Sequence, residues 1–175
     1  AMNPCKCGFF PDLGKCRCTP TQIRRYLNRV SGPFLDRIDI GVEVPRQDLG
    51  MMAAEKSIDE GSFPQTEQRN SSAVMRARVM EARARQEKRF ADESISYNSQ
   101  MTRRQIEEYC RLSGEDAVFL EKVERQQGIS ARGHGKILKV ARTLADLDGQ
   151  AEIGRTQLAE AIGFRSFEKK YWGSL

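Results

Sequence analysis

Four of the chain's five cysteines fall within fourteen residues, as Cys5-Lys6-Cys7 and Cys16-Arg17-Cys18 with eight residues between the pairs. Four thiolates at such spacing can close a tetrahedral zinc site, and the neighbouring Lys6, Lys15 and Arg17 favour the ionised sulfur that a metal requires. Such a site would be structural, because no histidine or carboxylate beside it leaves an open catalytic position. Free thiols or disulfides are the other chemistry open to these residues. Cys110 stands apart on an apolar helix face and reads as a core residue.

The remaining candidates are arginines. Arg37 sits in Gly32-Pro33-Phe34-Leu35-Asp36-Arg37-Ile38-Asp39, just ahead of an expected strand. From there it projects toward a neighbouring molecule, or it pairs on the surface with Asp36 or Asp39. Arg132 lies near the start of an expected helix, where free backbone N–H groups favour an anion. Arg132, Lys136 and Lys139 share one face by their spacing, although a charged helix face is commonly just solvated. The one histidine, His134, has no evident partner as a catalytic base and reads as an exposed helix residue. A phosphate-binding loop needs G-x4-G-K-[ST]. Gly14-Lys15 is followed by Cys16 and Gly135-Lys136 by Ile137, so neither qualifies. No nucleophile–base pair or carboxylate pair stands in a convincing setting.

The elements that must hold these groups are mostly helices. Thr19, Pro20 and Gln22 form a capping box that starts a helix carrying Ile23, Tyr26, Leu27 and Val30, and Ser31-Gly32-Pro33 ends it. Ile38, Ile40, Val42 and Val44 alternate, which predicts a strand over Ile38–Val44 with one buried face. A lone strand needs neighbours for its backbone groups. Residues 51–70 are rich in Ser, Gly, Pro, Glu and Gln and read as a linker. A long helix follows from Ser72 to about Phe90, with Val74, Ala77, Met80 and Ala84 toward a core. Thr102–Gln105, Ser113–Asp116 and Ser130 each cap a further helix, and Thr156 begins a last short one. Residues 166–175 form an unassigned tail whose Phe167, Tyr171 and Trp172, with Phe164 just before it, are able to pack back on a core. The expected fold is mainly α: a helical bundle over residues 71–165, preceded over residues 1–50 by an incomplete α/β piece with one strand.

Composition fits a soluble, helix-rich globular protein: 39% hydrophobic and 30% charged residues among 175. The formal net charge of +5 resides in residues 1–37, which hold seven Lys/Arg against two Asp/Glu. That segment expects an anionic partner: nucleotide phosphate, nucleic acid or an acidic surface. No apolar run is long enough to span a membrane and no signal peptide opens the chain, so the expected compartment is the cytoplasm.

Several stretches, in this order, resemble the magnesium-chelatase subfamily of AAA+ ATPases, and within it the ComM/YifB-like proteins. They are Ala1-Met2-Asn3-Pro4-Cys5-x-Cys7-Gly8, Cys16-x-Cys18-Thr19-Pro20, Gly32-Pro33-x-Leu35-Asp36-Arg37-Ile38-Asp39, Tyr109-Cys110-Arg111-Leu112, and Ser130-Ala131-Arg132 through Val140-Ala141-Arg142-Thr143-x-Ala145-Asp146-Leu147. Lys6 departs from the usual Pro between the cysteines, and His134-Gly135 from bulkier residues. The resemblance implies that Asn3 is the sensor 1 residue, which helps orient the attacking water. It implies that Arg37 is an arginine finger reaching the γ-phosphate of an adjacent subunit, and that Arg132 is the sensor 2 arginine of a helical lid. Residues 1–50 would then be the last part of the ATPase core, with the nucleotide-binding motifs lying ahead of Ala1 in a longer parent, and residues 71–165 the lid. The parent would use ATP and Mg2+, form a homo-hexameric ring and act on DNA by helicase or branch-migration activity during uptake and recombination. The chain alone would be inactive. Two other readings stand beside this one: a subunit of a chelatase-type motor, and a helical binding module stabilised by Zn2+.

Overall fold

A computed structural model of the chain describes residues 1–44 and 71–173, so the expected linker over 51–70 lies outside the described residues. The described elements are all helical. Helix α1 spans Pro20–Leu27, α2 Gly32–Leu35, α3 Ser72–Arg89, α4 Arg103–Tyr109, α5 Gly114–Gln127, α6 Ala131–Leu147, α7 Arg155–Gly163 and α8 Ser166–Trp172, with a 3₁₀ turn at Asn98–Gln100. None is long and apolar enough to cross a membrane.

The capping signals act where the sequence places them. Thr19 and Thr102 accept from the N–H groups of Gln22 and Gln105, whose side chains reach back to the caps. Ser113 and Ser130 accept from Asp116 and Gly133. Each such cap satisfies an otherwise orphaned donor and contributes about 1 kcal/mol.

Helix α6 is the axis of the bundle. It packs against α3, α4, α7 and the 3₁₀ turn, while α7 also meets α5 and α8. Its residues Ile137, Leu138, Ala141 and Ala145 are buried with Leu120 of α5 and Leu158, Ala161 and Ile162 of α7. Cys110 belongs to this core.

Helix α3 does not turn the expected face inward. Val74 and Met80 are 39% and 57% exposed, and the buried positions are Ala82 and Gln86. The reason lies in α6, whose Asp146 is fully buried. A buried carboxylate needs cations and donors. Arg89 provides both guanidinium nitrogens to it, and Arg142 approaches from one turn earlier on α6 at 3.1 Å. Asn98 donates to it at 2.8 Å, and Gln86 accepts from the Asn98 N–H at 3.1 Å. Arg85 donates to the Asp146 carbonyl at 2.9 Å. Residues 82, 85, 86 and 89 thus form one helical stripe that is mostly polar. Arg142 also donates to the carbonyls of Gln150 and Ala151, at 2.7 Å each, which pins the turn between α6 and α7.

The alternating segment 38–44 forms no strand, and there is none among the described residues. With no neighbouring strand, helices take over its polar groups. The Ile38 carbonyl accepts from Arg165 at 2.8 Å, and Gly41 N–H donates to the Phe164 carbonyl at 2.9 Å. Glu43 accepts from Lys170 and from the Tyr171 hydroxyl, each at 2.6 Å at its closest. Gly41 permits this approach, since a Cβ there would sit 2.2 Å from the Phe167 ring. Ile40, Val42 and Val44 remain 49%, 70% and 82% exposed, so the alternation finds no sheet face to bury.

Truncating Asp146 would leave two arginines buried without their carboxylate. Asp146→Ala should therefore lower stability by about 3–5 kcal/mol in urea denaturation. A loss below about 1 kcal/mol, typical of an exposed pair, would remove the network from its structural role.

Candidate functional site

The four clustered cysteines converge. Their sulfurs all lie within 4.8 Å of one another, with Cys5–Cys7 at 3.4 Å, Cys7–Cys16 at 3.6 Å and Cys5–Cys16 at 3.8 Å. Four sulfurs about 2.3 Å from a central Zn2+ would stand about 3.8 Å apart, so the donor set fits a closed tetrahedral ion. The loop Cys5–Gly8 makes the convergence feasible. Gly8 closes a turn onto the Cys5 carbonyl at 3.1 Å and takes a φ of 77°, which costs a residue with a Cβ.

The cluster is covered on one side. Ile23 and Leu27 of α1 pack beneath it, and Phe10, Tyr26, Tyr171 and Trp172 complete the shell. Trp172 donates its indole N–H to the Leu27 carbonyl at 3.1 Å, and Phe10 meets Tyr171 edge-on. The tail left unassigned in the sequence is thus the helix α8 that seats two aromatic rings here.

The peptide N–H groups prepare two of the sulfurs for ionisation. Backbone N–H groups of Phe9 and Arg17 hold Cys7 at about 6. For Cys5, burial pulls upward, but the Phe10 N–H, donating at 3.5 Å, and its neighbours outweigh it and the thiol is lowered. For Cys16 the Cys18 N–H pulls downward, but burial and the Cys7 and Cys5 sulfurs prevail and hold it at about 11. Cys18 is likewise raised, against the pull of the Cys7 N–H. Burial pushes Cys110 to about 11.

The arginines occupy a different region. Arg37 is exposed, and its side chain donates to the Pro33 carbonyl at 2.6 Å. Neither expected carboxylate pairs with it, because helices of the bundle claim both. Asp36 accepts from Ser130 Oγ at 3.0 Å and stands 3.8 Å from Arg165, and Asp39 pairs with Lys136 at 2.6 Å. Ser130 is the N-cap of α6, so one hydroxyl both starts that helix and grips the segment holding Arg37.

Arg132 is exposed in the first turn of α6 and lines a cleft of about 1210 Å³. Lys136 and Lys139 line the same cleft, as their spacing requires. Lys136 is engaged by Asp39 and Lys139 by the Ser99 carbonyl at 2.9 Å, whereas Arg132 has no carboxylate partner among the described residues. His134 is half-buried and bonds Glu124 at 2.7 Å, which replaces the exposed, partnerless residue expected. Asn3 is exposed, and neither it nor Arg37 lines this cleft. The structure therefore joins the Arg37 segment to the helix of Arg132 without bringing Asn3, Arg37 and Arg132 into one pocket. The links through Asp36, Asp39 and Arg165 were invisible in the sequence, since the residues they join lie far apart in it (Ser130 and Asp36 are 94 positions apart).

A helical bundle around α6, a cysteine knuckle and an Arg37 segment capped by that bundle agree with one family. Residues 69–165 match the family described as magnesium chelatase, subunit ChlI C-terminal, and residues 1–52 match magnesium chelatase, subunit ChlI. The chain belongs to this magnesium-chelatase-like family. It is 40% identical over 167 residues, 95% of its length, to Competence protein ComM of Haemophilus influenzae. It is also 40% identical over 169 residues, 97% of its length, to the protein YifB of Escherichia coli. A protein of Mycobacterium tuberculosis, Rv2897c, is 31% identical over 165 residues, 94% of the chain. The chain spans 30% of the length of each of these relatives.

The sulfur environments make a sharp chemical forecast. In protein kept metal-free and reduced, Cys7 should alkylate first, with half-maximal rate near pH 6, and Cys110 last. Mass mapping of iodoacetamide adducts across pH reads the order, and early labelling of Cys110 would contradict it.

Proposed function

We propose that this chain provides the trans-acting arginine, the lid and a zinc-stabilised knuckle of a ring-forming, ATP-driven motor that acts on DNA. The observation that carries the reading is the fate of Asp36 and Asp39. Ser130, Arg165 and Lys136 take both carboxylates, which leaves Arg37 exposed and without a carboxylate partner among the described residues. Arg132, likewise without a carboxylate, stands one turn of helix from Lys136. In this reading Arg37 is the arginine finger directed at the γ-phosphate of a neighbouring subunit, and Arg132 is the sensor 2 residue that senses nucleotide within its own. Asn3 is the sensor 1 residue. Residues 1–50 complete an ATPase core, 51–70 link it to the lid formed by 71–165, and 166–175 are a tail whose helix α8 brings Tyr171 and Trp172 to the knuckle. ATP and Mg2+ bind chiefly outside these 175 residues, which contain no phosphate-binding loop, so the chain alone is not catalytic. The relative named a competence protein supports DNA as the substrate. A homo-hexamer in the cytoplasm is the assembly this mechanism needs.

An arginine finger stabilises charge on the transferring phosphoryl group by a rate factor on the order of 10³–10⁵. Full-length protein carrying Arg37→Ala should be inactive. Titrating it with full-length protein whose phosphate-binding loop is broken should restore ATPase activity in the mixed ring, because each variant supplies what the other lacks. Absence of rescue between folded, assembling variants would make Arg37 a structural residue.

Cys5, Cys7, Cys16 and Cys18 would hold the Zn2+, which when bound cross-links the two loops and fixes all four sulfurs as thiolates. Purified chain should contain about one zinc per molecule by elemental analysis. Its removal by chelator should shift the emission of Trp172, the single tryptophan, to the red as α8 loses its seat. Unchanged emission after complete metal removal would separate α8 from the metal.

A further inference from the structure

The knuckle and the adjoining helix α1 carry exposed cations that the nucleotide reading does not use. Between Ala1 and Leu35 the chain carries Lys6, Lys15, Arg17, Arg24, Arg25 and Arg29 against a single acid, Asp12. All six cations are exposed. Asp12 lies 3.8 Å from Lys15, and both side chains are mostly in solvent. The other five have no carboxylate partner among the described residues. On helix α3, by comparison, three of the five arginines are answered by acids: Arg78 by Asp148, Arg85 by Glu81 and Arg89 by Asp146.

These cations are held on a rigid support. Lys6 and Arg17 are the middle residues of the two Cys-x-Cys pairs, so turning the cysteines inward turns them out. On α1, Ile23 and Leu27 are buried against the knuckle. At 100° per residue, Arg25 stands opposite them with Thr21 and the C-cap Asn28 beside it and Arg24 on the flank, all exposed. That face offers two guanidinium groups flanked by a hydroxyl and an amide, all able to contact phosphate oxygens. The Phe10, Tyr171 and Trp172 rings pack in the same cluster as Ile23 and Leu27.

We infer that this knuckle–α1 face binds the phosphodiester backbone of nucleic acid. An acidic protein partner fits less well. Stable protein interfaces centre on a desolvated apolar core. The residues of this α1 face are all polar, with no such core. Five exposed cations with no carboxylate partner among the described residues, beside an α1 face that is polar throughout, match the sequence-independent backbone contacts that dominate nucleic-acid affinity. The inference rests on the DNA-directed reading above and adds the surface that touches the strand.

The test uses the whole 175-residue chain, loaded with zinc, and a fluorescein-labelled single-stranded oligonucleotide of mixed sequence, followed by anisotropy between about 50 and 200 mM salt. One variant carries Arg24→Gln, Arg25→Gln and Arg29→Gln. A control loses the same charge elsewhere, through Arg104→Gln, Arg111→Gln and Lys122→Gln, all exposed and without ion pairs among the described residues. The α1 variant should bind roughly tenfold more weakly, and the slope of log affinity against log salt should flatten by about 2. The control should keep the native slope. Circular dichroism, zinc content and Trp172 emission establish that both variants are folded. Equal losses in the two variants, or native binding by the α1 variant, overturn the face while leaving a DNA-acting parent intact. If the native chain has no affinity, the face is overturned; if full-length protein also fails to bind the oligonucleotide, the DNA reading falls with it.

Discussion

A carboxylate with no exposure to water is stable only if the fold is arranged around it, and Asp146 imposes that arrangement here. Its oxygens draw Arg89 from α3, Arg142 from α6 and Asn98 from the 3₁₀ turn into one point. The consequence for α3 is that its inward stripe must be polar, which leaves its apolar residues in solvent over the first turns. The consequence for α6 is that its C-terminal half is locked. Its N-terminal half is then positioned by rigid extension, and that half carries Ser130 as cap and Arg132 in the first turn.

The fixed helix gives the Arg37 segment something to lean on. Asp36 and Asp39 are short side chains next to a long one, and on a free peptide either would fold back onto Arg37. They do not, because the cap hydroxyl of α6, Lys136 and the nearly buried Arg165 meet them first. A hydrogen bond to a carbonyl, such as that from Arg37 to Pro33, leaves the positive charge unneutralised. The first turns of α6, which carry Arg132, are thereby tied to the segment that carries Arg37.

Local rules made much of this legible. Capping boxes depend on residues three apart, and Thr19, Thr102, Ser113 and Ser130 start helices as expected. The cysteine spacing allowed a four-sulfur site while leaving free thiols or disulfides open, and the sulfurs do converge. The failures share a cause, which is that a period reports a face without saying what the face meets. Alternation over Ile38–Val44 marks a strand only where a partner strand exists, and here the backbone is answered by Phe164 and Arg165. The apolar period of α3 was outweighed by a charged residue on another helix. Tyr171 and Trp172 belonged to a core that lies more than a hundred residues away in sequence, and nothing within ten residues of them says so.

The cysteine knuckle and the last helix also constrain each other. Without the two rings of α8, Cys5 would lose part of the apolar shell that keeps it buried. Without the knuckle, Trp172 would have neither a surface to cover nor the Leu27 carbonyl held at 3.1 Å. Glu43 joins the same helix through Lys170 and Tyr171, so α8 meets the first forty-odd residues at the cysteine cluster as well as at the segment that follows Arg37. A cross-linked knuckle is therefore more than a local staple. It anchors one end of a strap whose other end is the Arg165–Ile38 contact, so α8 links the knuckle to the segment that presents Arg37.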